Sequence, residues 1–154
     1  MAKIAAHLRL TSAEIDTLLS EESRCRIATL GAQGDINLTP MTFGWARGCI
    51  YIFARGQKIA DLRRSPAATV LVDVGTTWPT LKGIMLKGQA KILEDAQAEA
   101  DDPGLYEAQL NLGKKHGLGT PADPEPYRAS ASGRSRRWIV FSPAAEVSWN
   151  NERL

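Results

Sequence analysis

The chain has 154 residues, of which 44% are hydrophobic and 23% charged, with a formal net charge of +2. That length suits one domain, residues 1–154, with a full hydrophobic core and no need for disulfides or a structural metal. The charge is too small to argue for a nucleic-acid or membrane partner, and no apolar run approaches the about 20 residues that span a bilayer.

The first ten residues, MAKIAAHLRL, are broken by Lys3, His7 and Arg9 and lack a signal-peptide core, so a cytoplasmic location is expected. Thr11-Ser12-Ala13-Glu14 is a capping box, and Ile15, Leu18 and Leu19 follow at helical spacing, which predicts a helix over 12–22. Residues 24–30 alternate polar and apolar, Gly31 and Gly34 break the run, and 36–43 is extended again. Pro40 inside that second strand implies an edge or a bulge. After Arg47-Gly48, residues 49–54 form a third strand, which completes an antiparallel meander. Cys25 and Cys49 lie in these alternating runs and read as free thiols. No CxxC or Cys/His cluster suggests a metal site.

The turn Arg55-Gly56-Gln57-Lys58 stands where that strand ends and a helix over 57–64 begins, stopped by Pro66. Free N–H groups at a helix start, with Arg55 and Lys58 beside them, suit a phosphate; the plainer reading is a solvated turn. A buried strand follows over 69–74, then a loop with Trp78 and Pro79, then a long strand over 82–93. Gly88 in its middle predicts a close approach of other backbone. Helices are expected over 94–102 and 105–115, a Gly/Pro/Ser-rich loop over 117–133, and a last strand pair over 136–141 and 146–149, or one strand broken at Pro143. Arg134, Arg136 and Arg137 form a basic cluster, read as a solvated patch or an anion site. These elements make a mainly β (α+β) protein, a small barrel decorated by helices.

Ala28-Thr29-Leu30, Thr39-Pro40-Met41, Ile50-Tyr51-Ile52-Phe53, Gln57-Lys58 and Asp61-Leu62-Arg63-Arg64-Ser65-Pro66 stand in an order that is familiar. With strand 69–73, Lys87-Gly88-Gln89-Ala90, Ser142-Pro143 and Val147-Ser148-Trp149-Asn150, the set resembles the pyridoxamine 5'-phosphate oxidase-like FMN-binding split-barrel superfamily over nearly the whole chain. The resemblance implies a six-stranded antiparallel split barrel with short flanking helices, forming a homodimer with cofactor sites at the interface. FMN is the cofactor it implies, with a deazaflavin as the alternative, and flavin-mediated transfer to a small molecule as the activity.

By the same resemblance, Lys58 holds the cofactor phosphate, flanked by Arg55 and by Gln57, where relatives often carry a stronger donor. Thr39, Pro40, Met41 and Thr42 run along the flavin ring, meeting it with backbone groups. Phe53, Lys82 and Gly83 line the pocket, and Trp149 and Trp138 cover the cofactor of the partner subunit; Lys82 reads equally as a surface lysine, and a tryptophan is more often core than cofactor contact. Arg55, Lys58, Arg63 and Arg64 could together make the broader basic groove that a deazaflavin tail needs. A non-enzymatic flavin or haem protein is a further reading, with His7 and His116 as the axial candidates, neither well placed. True pyridoxamine phosphate oxidases carry basic residues where this chain has Asn37 and Thr42, and end in an arginine-rich segment where it has Asn150-Asn151-Glu152-Arg153-Leu154. Vitamin B6 oxidation is therefore not expected, and no catalytic acid or base is assigned.

Overall fold

A computed structural model describes residues 3–117 and 136–154. The loop expected over 117–133, apart from Gly117, and Arg134 lie outside the described residues. The elements are α1 (Ser12–Glu21), β1 (Arg24–Leu30), β2 (Ile36–Thr42), β3 (Gly44–Ala46), β4 (Cys49–Ala54), α2 (Gln57–Arg64), β5 (Ala67–Val74), β6 (Lys82–Leu93), α3 (Ala96–Asp101), α4 (Leu105–His116) and β7 (Arg137–Asn150). The capping box forms: Glu14 N–H donates to Thr11 Oγ1 at 3.2 Å, and Thr11 N–H donates to Glu14 Oε2 at 2.7 Å. No described helix is long and apolar enough to cross a membrane.

All pairings are antiparallel, in the order β2-β1-β5-β6-β7-β4-β3. β2 and β3 lie at opposite edges of this sheet, yet only Phe43 separates them in the chain. Consecutive Cα atoms are about 3.8 Å apart, so the two edges must meet at Phe43 and the sheet must curl into a split barrel. Among the described residues seven strands therefore stand where six were expected. The run from β2 through β3 bends at Phe43 and changes pairing partner from β1 to β4. β2 is an edge strand, which accommodates Pro40.

β7 is one continuous strand rather than two. It passes Pro143 by a register shift opposite Lys87 and Gly88. Gly88 is the close approach its position predicted, since an added Cβ would run into the Ser142 carbonyl.

The barrel interior is packed by Cys25, Ile27, Phe43, Ile50, Ile52, Val70, Val72, Ile84, Ile139 and Phe141. A second cluster lies on the other face of β4 and β7, where Tyr51, Trp138 and Val140 meet Leu105, Ala108 and Leu112 of α4. β4 is thus buried on both faces, and its end is a fixed platform for the turn that follows.

Phe43 is fully buried, and Lys115 of α4 lies over it, with Nζ 3.5 Å from the ring centroid and donating to the Phe43 carbonyl at 3.1 Å. Burial pushes the Lys115 ammonium down to about 7, against the opposing pull of Cys25 on β1 and Glu22 at the end of α1. Burial likewise pushes the Cys25 thiol up to about 12.

Replacing Phe43 with alanine removes both the ring that fills the bend and the seat of Lys115. A loss of about 3–5 kcal/mol in denaturant unfolding is expected. Because the folded pKa of Lys115 lies below its ordinary 10.5, its burden on stability is full below pH 7 and lifts as pH rises above it. Wild-type stability relative to Lys115→Met should therefore rise between about pH 7 and 9, and ionisation of Cys25 in the unfolded chain, common to both proteins, drops out of the comparison. A constant difference across that range would show that Lys115 is not desolvated.

Candidate functional site

β4 ends at Ala54, and Arg55 and Gly56 carry the chain into α2. Gly56 is the N-cap residue with φ 79° and ψ −140°, a conformation that L side chains rarely adopt. Its carbonyl accepts from the N–H groups of Ile59 at 3.1 Å and Ala60 at 3.3 Å, and no side chain caps the helix. The first N–H groups of α2 are therefore open. Arg55 is exposed and Lys58 half-buried, and neither side chain makes a hydrogen bond or ion pair among the described residues. Open helix-start donors with two uncommitted cations are the donor set a phosphate monoester needs.

Gln57 is engaged differently from expectation: its Nε2 donates to Asp61 Oδ1 at 2.8 Å. The same carboxylate accepts from Thr29 Oγ1 of β1 and Asn37 Nδ2 of β2, each at 2.8 Å on Oδ2, and from Arg64 at 3.3 Å on Oδ1. Asp61 has no solvent exposure. Burial alone would raise its pKa, but the bonds from Gln57, Asn37, Thr29 and Arg64 outweigh it and hold the carboxyl at about 2. Sequence reasoning missed this residue as a site element. Its signal was a charge beside the core-facing Ile59 and Leu62, with Gln57, Asp61 and Arg64 on one helical face at i, i+4 and i+7.

Through Asp61 the turn is tied to β2. Asn37, Thr39 and Met41 are the partly buried positions of this strand, and Ile36, Leu38, Pro40 and Thr42 the exposed ones. Thr39 Oγ1 is buried and has no partner among the described residues. β2 pairs on one side only, so its free edge carries N–H and C=O groups open to a ligand. A groove of about 510 Å³ runs beside it, lined by Arg24, Arg26, Leu38, Thr39, Pro40 and Asp73, with Arg26 donating to Asp73 at 2.7 Å.

The remaining expected residues lie apart within this protomer. Phe53 faces the second core, its ring centroid 4.9 Å from that of Trp138, with the Arg136 guanidinium 5.9 Å away. Lys82 and Gly83 begin β6 at the end opposite α2, where Lys82 pairs with Val74 and Asn150 and faces a cavity of about 390 Å³ under α1. Trp149 pairs with Gly83, and its ring covers that glycine so closely that an added Cβ would lie 2.7 Å from Cζ2. Hydrogen bonds thus tie Gln57 of the turn to Asn37 of β2 through Asp61, Phe53 turns toward the second core two residues before Arg55, and Lys82, Gly83 and Trp149 lie at the end of β6 and β7 away from α2.

An antiparallel barrel split at one bend is the split-barrel architecture. The pyridoxamine 5'-phosphate oxidase family model matches residues 11–148, and the chain belongs to that family. No curated protein sequence matches significantly. Among solved structures, the conserved hypothetical protein Rv2991 of Mycobacterium tuberculosis is similar with a TM-score of 0.83 at 23% identity, over 99% of this chain and 92% of that one. The haem storage protein HutZ of Vibrio cholerae has a TM-score of 0.67 at 13% identity, over 92% and 97%. A protein described as an F420 reductase has a TM-score of 0.59 at 20% identity, over 86% and 94%. At these identities the likeness establishes the fold and leaves the ligand to the residues of this chain.

The depressed pKa of Asp61 fixes a sign for acid stability. Its contribution is whole above the ordinary 3.8 and is lost as pH falls through about 2. The stability difference between wild type and Asp61→Asn should narrow from pH 4 to pH 2 in urea unfolding. A difference that stays constant would mean that the carboxylate carries no charge-dependent bonds.

Proposed function

We propose that this protein is an FMN-dependent oxidoreductase that passes hydride or electrons to a small molecule. The observation that carries the reading is the uncapped start of α2, with Arg55 and Lys58 unengaged beside it. Arg55, Lys58 and the backbone N–H groups of Gln57 and Lys58 would hold the phosphate, and the free edge of β2 from Thr39 to Thr42 would meet the ring. FMN would supply the redox chemistry, and the chain's own residues bind and orient it.

The broader basic groove for a deazaflavin tail is largely committed elsewhere. Arg63 donates through Nε to Glu94 at 2.8 Å, and Arg64 is taken up by the Leu30 carbonyl and Asp61. Two free cations match one phosphate better than a longer acidic tail. The likeness to an F420 reductase keeps deazaflavin as the second reading.

The homodimer is part of the same proposal. Leu30, Ile36 and Leu38 are 42%, 73% and 64% exposed on the outer side of β1 and β2, a face suited to a second copy. In such a dimer Trp149, Lys82 and Gly83 of one copy could reach the cofactor of the other, which would reconcile their separation within a protomer. A cytoplasmic location belongs to this reading too.

Freshly purified protein should show the two visible flavin bands, bleached by a nicotinamide reductant. A Soret band would point to haem, and a colourless protein that binds only deazaflavin to the second reading. Lys58→Ala should weaken FMN binding by about 1.5–3 kcal/mol, the worth of a charged hydrogen bond, and leave riboflavin binding unchanged. Unaltered FMN affinity would place the phosphate elsewhere. A monomeric mass with cofactor bound would rule out an interface site.

A further inference from the structure

We infer that Asp61 is the positioning residue of the phosphate turn, holding the start of α2 and the ring-side strand β2 as one surface. The inference rests on the FMN reading above. Among the described residues Asp61 is the one charged side chain that is fully buried. Its donors come from three elements: Thr29 from β1, Asn37 from β2, and Gln57 and Arg64 from α2 itself. Each carboxylate oxygen takes two of them, Oδ1 from Gln57 and Arg64, Oδ2 from Thr29 and Asn37, so the carboxylate cannot turn without breaking bonds.

The placement matters because the rest of α2 is anchored without it. Ile59 and Leu62 are buried in the barrel core, and Arg63 is paired with Glu94. The first turn has no capping side chain at all. Gln57, its first residue, is fixed through Asp61, and Lys58 and the open N–H groups follow from where Gln57 is held. Asp61 does not reach the ligand. It decides where the phosphate donors point relative to β2, to which Asn37 ties them.

An asparagine at 61 keeps the shape but turns one acceptor into a donor. Either the pair on Oδ1 or the pair on Oδ2 then faces an N–H group and loses its acceptor. The first turn loosens relative to β2, while the barrel that meets the ring does not change.

The test compares FMN with riboflavin, which differ by the phosphate, using fluorescence titration of full-length wild type and Asp61→Asn. FMN affinity should fall at least tenfold with riboflavin affinity within twofold of wild type, so that the preference for FMN collapses. Equal losses for both ligands would make Asp61 a plain stability element and overturn the inference. An unchanged preference would do the same, and so would tighter FMN binding, which would show that the charge of Asp61 opposes the phosphate. Wild type with no preference for FMN would overturn the FMN reading itself, and the inference with it. Should Asp61→Asn fail to fold, Thr29→Val removes one donor from β1 and leaves Arg55, Gln57 and Lys58 in place. It should lose several-fold of the preference with riboflavin unchanged, and no loss would overturn the inference.

Discussion

One extended run serves both edges of the sheet, and the bend at Phe43 is where it changes partner. The other elements fit around that bend. Gly44 lies against the carbonyl of Ala108, so α4 packs directly on β3 at a place where no side chain fits. Asn111 Oδ1 accepts from the Trp45 N–H at 2.9 Å, and Trp45 Nε1 donates to Asp16 of α1 at 2.8 Å. Lys115 closes the arrangement from above. Two helices far apart in the chain therefore read the position of three adjacent residues, and the barrel cannot open at this corner without disturbing both.

The basic turn of the candidate site follows β4, which pairs with β3 beyond the bend and with β7. β4 is clamped between two cores, so the turn leaving it has little freedom. The basic residues nearby divide by commitment. Arg26, Arg63 and Arg64 are spent on Asp73, Glu94 and Asp61, whereas Arg55 and Lys58 stay open. A surface with every cation paired would give a phosphate little, because each new bond would replace an existing one. Among the described residues, Arg55 and Lys58 are the cations at the turn itself that no side chain or carbonyl takes up, and they set the charge of ligand that the turn can hold.

Much of this was legible in the sequence. Residues 57–64 read as a helix because Ile59 and Leu62 give its face and Pro66 its end, and 82–93 read as a strand because its alternation is long. The bend at Phe43 was not legible, since an alternating pattern survives a change of pairing partner. The continuity of β7 was hidden by Pro143, which a register shift absorbs. Asp61 was overlooked because its partners, Thr29 and Asn37, are polar residues of other strands that only the sheet order brings to it.

The order of strands also governs how the molecule can be assembled. β7 comes last of the strands in the chain but lies between β6 and β4, pairing along most of its length with the first and over five residues with the second. Until it is synthesised, β3 and β4 form a hairpin with an open edge, and β5 and β6 end in another. Neither hydrophobic cluster is complete without β7, because Ile139 and Phe141 belong to one and Trp138 and Val140 to the other. Contacts of such long sequence separation are slow to form. On the ribosome the first hundred residues must therefore wait as two incomplete sheets, each with an adhesive edge, for a single strand to join them.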